Sequence, residues 1–275
     1  MNVSDEKKPH GVMGTVTTDS FQMDYYRFGK GERAFVILPG LSVQSVLGSA
    51  RSVEKEYSLF AEAFTVYLFD RRRDVKAPYT VRDMARDSAE ALIALGLREV
   101  YLFGASQGGM ISMAVAAEYP QLVKKLALSS TCACVEEESF ERINNWISLA
   151  ENRDGEGLYL DFGRKVYPPE LFSVYKSALE IAGRSVTDNE FERFVTIARG
   201  TRGFDIRDEL KNIRCPVLVT GSSDDLVLGP DTVSDISNAL SRSPDVETKL
   251  YSGFGHAVYD TAPDHRERLY GFFMK

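Results

Sequence analysis

The chain predicts an α/β protein: a doubly wound, mostly parallel sheet of eight strands, with helices on both faces and an inserted helical segment. Three observations carry this. Short apolar runs alternate with longer stretches of helical period, as in successive β-α-β units. Residues 34–38 and 100–103 are continuously apolar, as strands buried on both faces must be. Between residues 135 and 205 the rhythm stops, helical patterns follow one another without an obvious strand, and the alternation then resumes.

Taken in order, residues 1–11 form a polar tail, expected to be mobile. Residues 12–18 and 21–26 alternate around the turn signal Asp19-Ser20, which predicts an antiparallel hairpin at a sheet edge. The strand 34–38 ends in Pro39-Gly40-Leu41-Ser42, and a helical stretch, 44–60, follows. The strand 64–69 ends in Asp70-Arg71-Arg72-Arg73-Asp74. Three arginines between two aspartates read as a self-paired surface loop; beside a pocket they would hold an acidic substrate group. In 80–95, Asp83 follows Thr80 at capping-box spacing, apolar residues recur at 81, 84, 85, 89, 92 and 93, and Gly96 supplies a stop. A strand at 123–130 closes the first half. Helices are expected at 136–151, 169–182 and 188–199, with a weaker segment at 158–167. The second half adds a strand at 217–220, a helix at 230–240, a strand at 246–251 and a closing helix at 263–273.

The centre of the chain is Gly104-Ala105-Ser106-Gln107-Gly108, a G-x-S-x-G pattern. By itself it would arise by chance in roughly one chain in ten of this length, so its context decides. An apolar strand precedes it, and residues 107–119, rich in Ala and Met, suit a helix packed on a sheet. Small residues at 104, 105, 108 and 109 let strand and helix approach closely and force residue 106 into a strained, exposed position, the mechanical requirement of a nucleophile elbow.

Composition bounds the rest. With 275 residues, 44% hydrophobic and 27% charged, the chain fits one large domain, or one domain with an insertion. A net charge of −7 and a pI of about 5.2 argue against a nucleic-acid binder. The first ten residues lack the apolar core of a signal peptide, and no apolar run is long enough for a membrane span. Three cysteines, Cys132, Cys134 and Cys215, suggest buried thiols in a reducing cytoplasm rather than a disulfide framework. Cys132 and Cys134 have no nearby histidine and make a poor metal site.

A serine hydroxyl needs a base. Of the three histidines, His10 lies in the polar tail and His265 is expected on the solvated face of the last helix. His256 alone follows a buried strand in a glycine-rich loop, so it is the candidate base. The base needs a carboxylate to fix its tautomer. Asp224 and Asp225 both follow the strand 217–220, with a carboxylate near Glu136 as a further substitute. The chain order Ser, Asp, His is that of one triad class and of neither protease order. Backbone N–H groups of Gln107, at a helix start, and of Leu41, after Pro39-Gly40, are candidate oxyanion donors. The aromatic residues of 135–205 either pack that segment on the sheet or line a lid over an apolar pocket.

From about residue 20 onward, the chain resembles α/β-hydrolase-fold proteins. The likeness rests on Gly104-Ala105-Ser106-Gln107-Gly108, on Cys215-Pro216 and the strand leading to Gly221 and Asp224, and on Gly255-His256 followed by a helix. In the family the acid stands three residues after that glycine, which selects Asp224. The resemblance further implies that residues 135–205 are a cap inserted after the sixth strand, between core segments 1–134 and 206–275. Three positions differ from the family pattern. Pro39-Gly40 stands where His-Gly is usual. Asp70-Arg71-Arg72-Arg73-Asp74-Val75 lacks the glycines of Asp-x-Arg-Gly-x-Gly. Leu228 replaces a common proline. The expectation is therefore a cytoplasmic serine hydrolase with the triad Ser106, Asp224 and His256, cleaving a small ester or related acyl substrate through an acyl-enzyme. It would need no metal or cofactor. The same triad also serves carbon–carbon bond hydrolases, amidases, acyltransferases and perhydrolases, and a slow-turnover small-molecule receptor is a rival of another class.

Overall fold

The computed structural model describes residues 11–240 and 243–275. The expected polar tail, with His10, lies almost wholly outside them. The eight strands are β1 (Val12–Thr17), β2 (Gln22–Gly29), β3 (Arg33–Leu38), β4 (Phe64–Arg72), β5 (Val100–Ala105), β6 (Val123–Ser129), β7 (Val217–Ser222) and β8 (Val246–Tyr251). They form one sheet in the order β1-β2-β4-β3-β5-β6-β7-β8. β1 and β2 form the predicted edge hairpin, its turn fixed by the Thr18 hydroxyl, which accepts from the Ser20 and Phe21 amides. From β4 to β8 every pairing is parallel. The chain moves outward from β3 first to β4 and then, on the other side, to β5. The ends of β3 and β5 therefore flank a topological switch point, where the crevice of an open α/β sheet lies.

Both faces of the sheet are covered, which is why its central strands are uninterrupted apolar runs. Phe35 and Ile37 point into one layer, with Phe60, Leu269, Phe272 and Phe273. Val36 and Leu38 point into the other, with Met84, Met110, Met113 and Ile236. The first layer is closed by helices α1 (Ala50–Glu56) and, at the C-terminus, α10 (His265–Met274). The second is closed by α2 (Val81–Ala94), α3 (Gln107–Glu118) and α8 (Thr232–Ala239). The Thr80–Asp83 capping box at the start of α2 is present as read from the sequence. α3 is buried from Gln107 to Ala117, so it needs no polar face.

Between β6 and β7 lie α4 (Glu137–Glu151), α5 (Gly155–Val166), α6 (Pro169–Arg184) and α7 (Asp188–Arg199). Phe140, Trp146, Phe191 and Phe194 are buried in the same apolar layer as α3, so these aromatics anchor the insertion. A short helix, α9 (Val258–Thr261), follows β8. No helix among the described residues is long and apolar enough to cross a membrane.

Two local expectations change. His265 is 1% exposed instead of solvated: α10 turns it onto the sheet, where Nε2 lies 3.1 Å from Thr220 Oγ1. β4 runs on past Phe69 to Arg72, so the arginine run begins inside the sheet.

Candidate active site

Ser106 sits between β5 and α3 with φ 53° and ψ −124°, a conformation costly for a residue with a side chain. Close packing enforces it. A methyl group on Gly104 would lie 2.3 Å from the Gly108 carbonyl, and one on Gly108 would lie 2.0 Å from the Leu38 carbonyl. Strand, turn and helix can meet only with hydrogen at both positions. The Ser106 N–H donates to Ser129 O at 2.9 Å, and its carbonyl accepts from Thr131 Oγ1 at 2.7 Å. The elbow is thereby tied to the end of β6.

The loop after β3 crosses close to this serine: a methyl on Gly40 would lie 3.1 Å from Ser106 Cβ and 3.7 Å from its Oγ. Leu41 follows Gly40, and Gln107 begins α3, where free N–H groups and the helix dipole favour negative charge.

Beyond β8, Gly255 and His256 enter the site. His256 is 3% exposed, and its Nδ1 lies 2.8 Å from Asp225 Oδ2. An Nδ1–H donated to that carboxylate leaves Nε2 as the free acceptor, the tautomer a general base requires. Oδ1 of Asp225 accepts from the amides of Val227 at 2.8 Å and Leu228 at 3.0 Å. Burial alone would raise the Asp225 carboxyl. The His256 ring and these two amides outweigh it, and the group titrates below the ordinary carboxylate range.

Asp224, the carboxylate expected against His256, is turned away from it. Its Oδ1 accepts from Ser222 Oγ at 2.5 Å and from the Gly253 amide at 2.8 Å, and Oδ2 from the Gly255 amide at 3.0 Å. The cause is the length of β7, which runs to Ser222; the turn that follows exposes residues 223 and 224 and brings 225 inside. Asp224 instead pins the loop that carries His256. Burial opposes its ionisation, but the Ser222, Gly253 and Gly255 hydrogen bonds prevail and hold its carboxyl low. Ser106 and His256 are brought to the same sheet edge without a hydrogen bond between them among the described residues.

A sequence model of the alpha/beta hydrolase fold matches residues 34–263. The chain belongs to the alpha/beta hydrolase fold family. Among curated relatives, it is 26% identical to a putative carbamate hydrolase RutD of Caulobacter sp. (strain K31), over 92% of this chain and 94% of that protein. It is 30% identical to the mouse serine hydrolase BPHL, over 48% of this chain and 50% of that protein. Among solved structures, an alpha/beta hydrolase enzyme from a Medee basin deep-sea metagenome library superimposes with a TM-score of 0.84 at 20% identity, covering 95% of this chain and 98% of the other.

Within this alpha/beta hydrolase, the arginine run divides. Arg73 lies at the surface but pairs with Asp24 of β2, at 2.7 Å, and not with the flanking aspartates of a self-paired loop, and Arg72 lies over the Phe21 ring. Arg71 is 6% exposed, and its Nη2 donates to Pro39 O at 2.8 Å and Gln107 Oε1 at 3.1 Å. Burial pushes its pKa down to about 10. Arg193, from α7, reaches Asp70 Oδ1 at 3.0 Å. The sequence carried one signal for this: residues 70 and 71 directly follow an apolar strand, and so stand at the catalytic edge.

A cavity of about 420 Å³ is lined by Gly40, Leu41 and Ala105, which adjoin Ser106 in the chain or in space, and by Phe103, Phe162 and Tyr259. Phe162 and Tyr167 face this space, whereas Tyr175 is 38% exposed. Some aromatics of the insertion thus pack in the apolar layer, and others line this cavity.

Proposed function

We propose that this protein is a serine hydrolase that cleaves a small ester or related acyl substrate through an acyl-enzyme. Ser106 Oγ attacks the carbonyl carbon. His256 Nε2 takes the hydroxyl proton and returns it to the leaving group. Asp225, in place of Asp224, holds the imidazole and stabilises the imidazolium. The Leu41 and Gln107 N–H groups receive the oxyanion. Water, deprotonated by the same histidine, releases the acid and restores Ser106. The observation that carries this reading is the buried Asp225–His256 pair at the sheet edge that also presents a strained serine. Catalytic hydrogen bonds often tighten only with substrate bound, so the lack of a Ser106–His256 hydrogen bond among the described residues is compatible with the role.

In the same reading, residues 135–205 form a cap over core segments 1–134 and 206–275, and the 420 Å³ cavity receives the acyl or leaving group. Three free thiols support the cytoplasmic setting. The likeness to a putative carbamate hydrolase over most of both chains supports including carbamates beside carboxylic esters. The test is a panel of short- and long-chain acyl esters and carbamates assayed on wild type and Ser106→Ala, with fluorophosphonate labelling. Turnover and labelling are expected only with Ser106 present; equal rates in both proteins would refute nucleophilic catalysis by this residue.

A further inference from the structure

Arg71 touches both halves of the proposed oxyanion site. Residues 39–45, which include Leu41, form no regular secondary structure, so neither helix nor sheet bonds fix that loop. Gln107, in contrast, is the first residue of a buried helix. A single nitrogen, Arg71 Nη2, joins the two: it donates to the carbonyl of Pro39, two residues before Leu41, and to the side chain of Gln107. The Gln107 amide group continues the chain into the insertion, with Nε2 donating to the Ile197 carbonyl at 3.1 Å and to Thr201 Oγ1 at 3.0 Å. The space enclosed by Pro39, Gly40, Arg71 and Gln107 is only about 10 Å³, room for about one water molecule. The Pro39–Gly40 backbone thus lies close against Arg71 and Gln107 on this side. The arrangement has an electrostatic cost. Both acceptors of Nη2 are neutral, Nε has no partner, and the neighbouring carboxylate, Asp70, is shared with Arg193.

Oxyanion stabilisation depends on donors held within a few tenths of an ångström of the developing charge. We propose that Arg71 is a positioning residue for the hydrolysis: it sets the separation of the Leu41 and Gln107 N–H groups and, through the Gln107 side chain, ties that separation to the inserted helix α7. The proposal rests on Ser106 being the nucleophile, and its test keeps the two apart.

Wild type and Ser106→Ala are first compared by fluorophosphonate labelling. Then Arg71→Met, Gln107→Met and the double variant are assayed on a short p-nitrophenyl ester, with kcat expressed per labelled Ser106. Arg71→Met is expected to lower kcat about 10- to 100-fold while KM moves less than about threefold, the signature of lost transition-state placement. The phosphonylation rate should fall in parallel, and the pH midpoint of kcat/KM should stay where it is. Gln107→Met keeps its backbone N–H and should show a smaller fall. The double variant should be no worse than Arg71→Met, because both remove one linkage. Full kcat per labelled site in Arg71→Met, or losses that multiply in the double variant, would overturn the positioning role and leave the nucleophile intact. Should Arg71→Met not fold, an unchanged kcat in Gln107→Met overturns it equally. A wild type that resists the probe overturns both readings.

Discussion

Asp225 Oδ2 lies 2.8 Å from His256 Nδ1, while the adjacent Asp224 accepts the amides of Gly253 and Gly255 on the loop that delivers the same histidine. One carboxylate meets the ring and its neighbour holds the backbone. The two positions should therefore fail differently. Asp225→Asn presents an amide to Nδ1 and favours the wrong tautomer; kcat should fall about 10⁴-fold, with a nearly unchanged melting temperature. Asp224→Ala leaves the ring partner in place but frees the loop. It should cost about 1–2 kcal/mol of stability, discounted for exposure, and a far smaller part of kcat. Steady-state kinetics and thermal melts of the two variants check this; the opposite pattern would return the orienting role to Asp224.

The difference between those aspartates shows what the sequence carries and what it leaves unwritten. Strands β3 and β5 are legible because burial on both faces demands an unbroken apolar run. The elbow is legible because two backbones cannot meet at Gly104 and Gly108 unless both lack a side chain. Which of two neighbouring aspartates turns inward depends on where β7 stops. Its last residues, Gly221 and Ser222, carry no apolar signal to mark that point. The burial of His265 is hidden for a related reason: a polar residue amid charged neighbours reads as solvated, and only the rotation of α10 about its axis decides otherwise. The arginine run has the composition of a surface loop, and the continuation of β4 to Arg72 is what sends Arg71 inward.

His265 makes stability depend on pH. Burial depresses its pKa from 6.5 to about 3 in the folded chain, and neighbouring Arg266 adds to the effect. Between these values the unfolded chain binds a proton that the folded chain refuses, so stability rises with pH through this window and is lost as pH falls below about 6.5. The full contribution is on the order of 4 kcal/mol by pH 3. His265→Gln keeps a polar side chain near Thr220 without a titration. Its urea midpoint should fall less than that of wild type between pH 7 and pH 4. Parallel curves for the two proteins would show that His265 does not titrate in this way.

Phe162 joins the inserted helices to the cavity beside Ser106. It also packs on Trp146, with ring centroids 4.6 Å apart, so its truncation will disturb the insertion as well as the pocket. A comparison of two substrates on one variant separates these effects, because loosened packing lowers both rates alike. An acetyl group is too small to fill a 420 Å³ space, whereas a benzoyl or hexanoyl group bound there as proposed would extend toward Phe103 and Phe162. Phe162→Ala should therefore lower kcat/KM about 10-fold for the larger ester, and less than about threefold for the acetate, the range expected for one lost apolar contact. If both fall by the same factor, Phe162 acts only through the packing of the insertion, and the acyl group lies elsewhere along the crevice.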